Sequence, residues 1–173
     1  MPLKRKAALL KSSRLTFRPL LDGDQKDLMK IFSDPICMHF YKGCKTLQEA
    51  DEWVKKARDF YKRMKIGFFY CALQKTNEFV GICGLLQQKD VDGRDEIELG
   101  YLFVQEYWRK GLATEAAKTC MDYGFHTLGF KRIISLIDPE NIASIRVAEK
   151  NGLHKEKTIT YKERKASVYA LEL

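Results

Sequence analysis

The sequence predicts one mixed α/β domain in which antiparallel strands come first and alternating strands and helices follow. Three runs rich in aromatic and aliphatic residues, 68–74, 79–87 and 96–104, lie close together with no helical pattern between them. From residue 110 the pattern becomes helix, strand, helix, with a strand made mostly of β-branched residues at 132–137. At 173 residues, 45% hydrophobic and 12% aromatic, the chain can bury one core, and no repeat or Pro/Gly/Ser-rich linker divides it.

Residues 14–20, RLTFRPL, alternate well enough for a first strand, and 24–33 read as a short helix stopped by Asp34-Pro35. Thr46 with Glu49 has the form of a capping box. It opens a helix to about Arg63, with Ala50, Trp53, Val54, Ala57, Phe60 and Tyr61 at helical spacing, and Gly67 ends it. The runs 68–74 and 79–87 flank KTNE as a hairpin, and a polar loop, KDVDGRD, leads to the strand 96–104. A helix from about Lys110 to Thr127 buries Ala113, Ala116, Ala117, Cys120 and Gly124. Asn141 caps a last helix that stops at Asn151-Gly152, and 158–161 with 167–171 around KERK form a closing hairpin. These elements give a mixed sheet with helices on both faces.

The formal net charge of +8 invites a nucleic-acid reading, but its distribution opposes one. Six cations and no acid fall in residues 1–21, leaving +2 for the remainder, so residues 1–11 are expected to be a basic N-terminal extension and 12–173 the single domain. No apolar run approaches the roughly 18 residues of a membrane span. The basic start has only a four-residue apolar patch, too short for a signal peptide. Five cysteines with no C-x-x-C pair are expected as reduced thiols in a cytoplasmic protein, and three scattered histidines give a metal no ligand spacing.

The informative stretch is EYWRKGLATEA, 106–116. Arg109 and Lys110 precede a helix start built from Gly111, Leu112 and Ala113, so small residues leave the first-turn amides open to an anion. Neither the P-loop pattern nor G-x-G-x-x-G is present.

This stretch resembles the acetyl-CoA pyrophosphate loop of the GNAT N-acetyltransferases. SSRLTFRPL (12–20), IFSDPICMHF (31–40), FVGICGLLQ (79–87), EIELGYLFVQ (96–105) and DPENIASIRVAEKNG (138–152) follow in the order of its RimJ/RimL-like branch. The resemblance spans roughly 12–172. It implies a splayed, mostly antiparallel sheet of six to seven strands, with backbone groups near Leu102, Phe103 and Val104 on the pantetheine arm. It also implies amides of Gly111, Leu112 and Ala113 on the pyrophosphate, supplemented by the charges of Arg109 and Lys110. Asn141 stands at a pantetheine-contacting position and Ser144 near the sulfur. Trp108 replaces the first Q/R of the wider family's loop, and Ala148 stands where many relatives carry a tyrosine general acid. Ser144 or water is then left to protonate the thiolate.

Acetyl transfer needs a neutral amine, and a carboxylate within reach of it supplies the base. Glu96 and Glu98 share a strand face, and the resemblance favours Glu98. A backbone N–H near Phe103 is expected to polarise the thioester carbonyl. The expected activity is acetyl-CoA-dependent N-acetylation of a primary amine, on a small molecule or a protein N-terminus, by direct attack in a ternary complex without a metal. The enzyme is expected as a monomer or homodimer with no membrane partner. The alternatives are a CoA-binding sensor without turnover and a ribosome- or RNA-associated module.

Overall fold

A computed structural model describes residues 9–173. Of the expected basic extension, residues 1–8 lie outside the described residues, whereas Leu10–Lys11 form a short strand, β1. The elements that follow are β2 (Leu15–Pro19), α1 (Gln25–Phe32), α2 (Leu47–Met64), β3 (Phe68–Leu73), β4 (Phe79–Val91) and β5 (Arg94–Phe103). Then come α3 (Leu112–Asp122), β6 (Arg132–Ile137), α4 (Ile142–Lys150), β7 (His154–Tyr161) and β8 (Arg164–Glu172).

The capping box of α2 is formed: Glu49 N–H donates to Thr46 Oγ1, and Thr46 N–H donates to Glu49 Oε2. The helix ends on Lys65 at φ 61°, two residues before Gly67, because the Lys65 N–H closes the last turn on Tyr61 O. The third helix starts at Leu112 rather than Lys110, and its last turn, Tyr123–Thr127, widens to a π turn in which Leu128 N–H reaches Tyr123 O. KDVDGRD is no loop. It is the tip of the β4–β5 hairpin, turning at Asp92 and Gly93 with φ of 51° and 89°, the pair of positive values a two-residue hairpin turn requires.

The eight strands of the described residues join one sheet in the order β1-β2-β3-β4-β5-β6-β8-β7, one strand more than the upper expectation. Trp53 of α2 lies near Phe68, and the next residue, Phe69, meets both Tyr123 at the end of α3 and Tyr61 of α2, so the two helices pack on the sheet around β3. Phe17, Leu28, Phe69, Ile82, Leu85 and Ile133 are among the fully buried side chains between these layers. Gly84 is required by a close approach, since a Cβ there would stand 2.0 Å from Gly67 O.

Every neighbouring strand pair is antiparallel except β5–β6, which is parallel and paired only at Glu98 and Ile134. Ser135 Oγ donates to Leu99 O at 3.0 Å next to this point. Beyond it the two strands part. The gap lies at the carboxyl end of β5, where α3 begins, and it positions everything that follows.

Candidate active site

The tip before α3 takes its shape from two left-handed residues, Arg109 at φ 62° and Gly111 at φ 75°. The first is unfavourable for a side-chain-bearing residue by about 1 kcal/mol. Gly111 is the N-cap and no side chain caps the helix, so its first-turn amides keep no partner within the helix. Gly111, Leu112, Ala113 and Thr114 line a cleft of about 870 Å3. Arg109 lines it too, and Arg146 and Lys150 reach it from α4.

Arg14 holds this tip from behind. Its Nη1 donates to Lys110 O at 2.8 Å, and its Nε donates to Glu115 Oε2 at 2.7 Å. Glu115 Oε1 also accepts from Arg14 N–H and Ser12 Oγ. The carboxylate of the first helical turn is thereby occupied, and the Arg14 and Ser12 contacts draw its acid below the ordinary carboxylate range although burial opposes them.

The edge of β5 forms another wall. Val104 N–H donates to Val80 O at 2.9 Å, toward β4. Backbone groups alternate along an antiparallel strand, so those of Tyr101 and Phe103 turn to the gap. Phe103 O accepts from Trp108 Nε1 at 2.8 Å and from Cys37 Sγ at 3.7 Å. Its N–H stays available to a ligand. Asn141 caps α4 by accepting from Ser144 N–H, and Tyr101 OH donates to Ser144 O at 2.8 Å.

A second cavity of about 210 Å3 opens on Glu98, walled by Phe68, Leu86, Ser135 and Asp138 among others. Phe40, Tyr41, Tyr101, Leu102, Asn141 and Ser144 line both cavities. The two spaces meet at the gap in the sheet. Burial pushes the Glu98 carboxyl up to about 7, and the Gln88 amide, the Leu136 N–H and the Lys162 charge hold it from going further. Tyr41 lines the same cavity with Glu98. Glu96 differs: it is 5% exposed and paired with Arg132 and Arg94, each at 3.1 Å. It is a sheet-face ion pair. Among the described residues Glu98 has no direct cation partner, and it sits at an open cavity.

An acetyltransferase (GNAT) domain model matches residues 14–154. The chain belongs to the GNAT acetyltransferase family. It is 38% identical over 161 residues to the Bacillus subtilis protein YkkB, covering 92% of this chain and 93% of that one. It is 30% identical over 149 residues to the Bacillus licheniformis N-acetyltransferase p20, covering 85% and 83%. Among solved structures, a GNAT acetyltransferase from Bacillus anthracis superposes with a TM-score of 0.81 at 27% identity, over 94% of this chain and 97% of that one. The ribosomal L7/L12 α-N-protein acetyltransferase RimL, in complex with coenzyme A, shares the fold at a TM-score of 0.79 and 14% identity, over 96% and 98%. The protein is therefore an acetyltransferase, and GNAT structures of this fold bind coenzyme A or acetyl-CoA.

Of the residues the sequence singled out, Leu102, Phe103, Arg109, Gly111, Leu112, Ala113, Asn141 and Ser144 line the large cleft, and Glu98 the small one. Lys110 and Val104 stand off the cleft. The Lys110 ammonium lies over the Tyr107 ring at 5.3 Å, and the Val104 amide is spent on β4. Arg14, Tyr41, Gln88, Tyr101, Arg146 and Lys150 were not anticipated as site residues. Ala148 is fully buried on α4. Among the described residues no group of three or more His, Cys, Asp or Glu side chains could hold a metal, and no helix is long and apolar enough to cross a membrane. All five cysteines are free.

Proposed function

We propose that the chain transfers the acetyl group of acetyl-CoA directly to a primary amine, with Glu98 as general base. The observation that carries this reading is the pair of cavities meeting at the β5–β6 gap, one lined by open helix amides and cations, the other by a carboxyl raised to about 7. The first-turn amides around Gly111, with Arg109, Arg146 and Lys150 nearby, suit a diphosphate and its neighbouring phosphate. The apolar rim suits the rest of a CoA-sized ligand: Ile36, Trp108 and Ile142 are 55%, 40% and 53% exposed beside the cleft. Acetyl-CoA supplies the activated thioester.

Glu98 accepts the proton of the attacking amine, directly or through one water. About half of it is ionised near pH 7, so it can both take and release a proton there. An α-amine of pKa about 7.7–8.0 needs little help, whereas a lysine-like amine of about 10.4 needs more. Phe103 N–H, facing the gap, donates to the carbonyl oxygen as charge builds on it. The Ser144 hydroxyl, at the junction of the cavities, protonates the departing thiolate. Cys37 is no competitor as nucleophile, since burial and Asp34 hold its thiol up to about 12.

The acceptor is a small molecule or a protein N-terminus, the latter in keeping with what RimL is named for. The free cysteines support action in the cytoplasm. Incubation with acetyl-CoA and a panel of amines and N-terminal peptides should release free thiol and give a product heavier by one acetyl group. Tight acetyl-CoA binding without thiol release on any acceptor would rule the reading out.

A further inference from the structure

Gln88 and Glu98 are diagonal neighbours on one face of the β4–β5 ladder, since Glu98 pairs with Leu86 and Gln88 with Glu96. Gln88 Nε2 donates to Glu98 Oε2 at 2.6 Å. Gln88 Oε1 accepts from Lys162 Nζ at 3.1 Å, and the Tyr161 hydroxyl stands 3.1 Å from the same oxygen and 3.0 Å from Lys89 O. An ammonium can only donate, so the carbonyl end of this amide must face Lys162 and its NH2 end must face the carboxylate. The amide cannot flip without losing contacts at both ends.

The anchor is itself held. Lys162 and Glu163 form the β7–β8 turn with φ of 47° and 64°, and the next residue, Arg164, donates through Nη2 to Phe40 O, in the loop that walls the Glu98 cavity. The β4–β5 hairpin and the β7–β8 turn, far apart in sequence, therefore meet at one carboxylate through one amide.

We propose that Gln88 is the positioning residue of Glu98, aiming the carboxylate across the gap and linking it to the fixed cation of the β7–β8 turn. The inference rests on Glu98 being the base. The groups around Glu98 are Tyr41 from the loop after α1, Tyr101 on β5, Asp138 after β6 and Lys162 on the turn, with Glu96 two residues along already paired to Arg132 and Arg94. The cation that acts on Glu98 itself is Lys162, with Gln88 its hydrogen-bonded route to the carboxylate, whereas Arg164 of the same turn acts on Tyr41. Losing the donor at Glu98 Oε2 leaves a buried carboxylate less stabilised, so its proton is held to higher pH.

The test is the pH profile of kcat/KM with an amine acceptor whose own pKa is about 10.4, which keeps its ionisation away from that of the base. Wild type should break near 7, and Gln88→Leu should move the break up by about one pH unit, the size expected for one charge-assisted hydrogen bond. Gln88→Glu keeps the shape and both contacts to the turn, so a merely structural role would be rescued by it. On the proposal it moves the break further up, because it places a second carboxylate against Glu98. Lys162→Met should shift the break in the same direction by less, and KM for acetyl-CoA should hold in all three. If Glu98→Gln abolishes the break while both Gln88 variants leave it in place, the positioning role is overturned and the base survives. If Glu98→Gln keeps the wild-type break, the base itself is wrong and the proposal falls with it.

Discussion

The Nε of Arg14 lies 2.7 Å from Oε2 of Glu115, so the residue that leads into β2 is pinned to the first turn of α3. The same guanidinium holds the Lys110 carbonyl and lies beside Gly111, where an added Cβ would come within 3.4 Å of its Nη2. The tip therefore keeps its two left-handed residues in place with the Lys110 carbonyl held by Arg14, off the cleft.

Arg14→Ala should raise KM for acetyl-CoA roughly tenfold, about 1.4 kcal/mol, with KM for the amine nearly unchanged. The Arg14 side chain is 47% exposed, and such ion pairs contribute only about 0–1 kcal/mol to stability, so the melting temperature should move little. Steady-state kinetics with each substrate varied, alongside a melting curve, checks both parts. A large fall in melting temperature with unaltered KM would show that Arg14 serves the fold and not the ligand.

Gly111→Ala should weaken acetyl-CoA binding by calorimetry. At φ 75° a side chain is disfavoured by roughly 1 kcal/mol, and the methyl group also presses on the Arg14 guanidinium that holds the tip. An affinity equal to wild type would mean that the tip does not meet the phosphates.

Ser144→Ala should lower kcat by roughly tenfold or more if the hydroxyl protonates the thiolate, with KM for acetyl-CoA little changed. The N-cap of α4 uses the Ser144 backbone N–H and survives the change. A kcat equal to wild type would transfer that proton to water.

The raised pKa of Glu98 also predicts how stability depends on pH. In the unfolded chain the carboxyl loses its proton near its ordinary 4.5, and in the folded chain near 7. Between these values the native state binds more protons, so stability falls as pH rises through the window and stays lower above it. Glu98→Gln removes that dependence, and its melting temperature should gain on wild type from pH 4 to pH 8. Parallel curves for the two proteins would show that the carboxyl is not perturbed.

Most of the fold was legible because long periodic segments dominate it: Thr46 and Glu49 announce α2, and Asn141 announces α4. The β4–β5 tip was not. Its alternating charges read as a loop because the hairpin projects beyond the body of the sheet, although Asp92-Gly93 was a turn signal in plain view. Strand β1 has only two residues and no pattern of its own. At the site, Gly111 and Glu98 stood out through local motifs. Arg14 and Gln88 did not, since their importance comes from partners that only folding brings near, 101 residues away for Glu115 and 74 for Lys162. Lys110 was singled out for its charge next to a helix start, and its side chain lies over Tyr107.

The most direct measurement is amine-dependent thiol release from saturating acetyl-CoA, compared between wild type and Glu98→Gln as pH crosses 7. Wild type should release thiol only when the amine is present, rising to a break near 7. The variant should bind acetyl-CoA normally yet fall by roughly a hundredfold or more, with the break gone. A variant that kept the wild-type rate and profile would contradict base catalysis by Glu98.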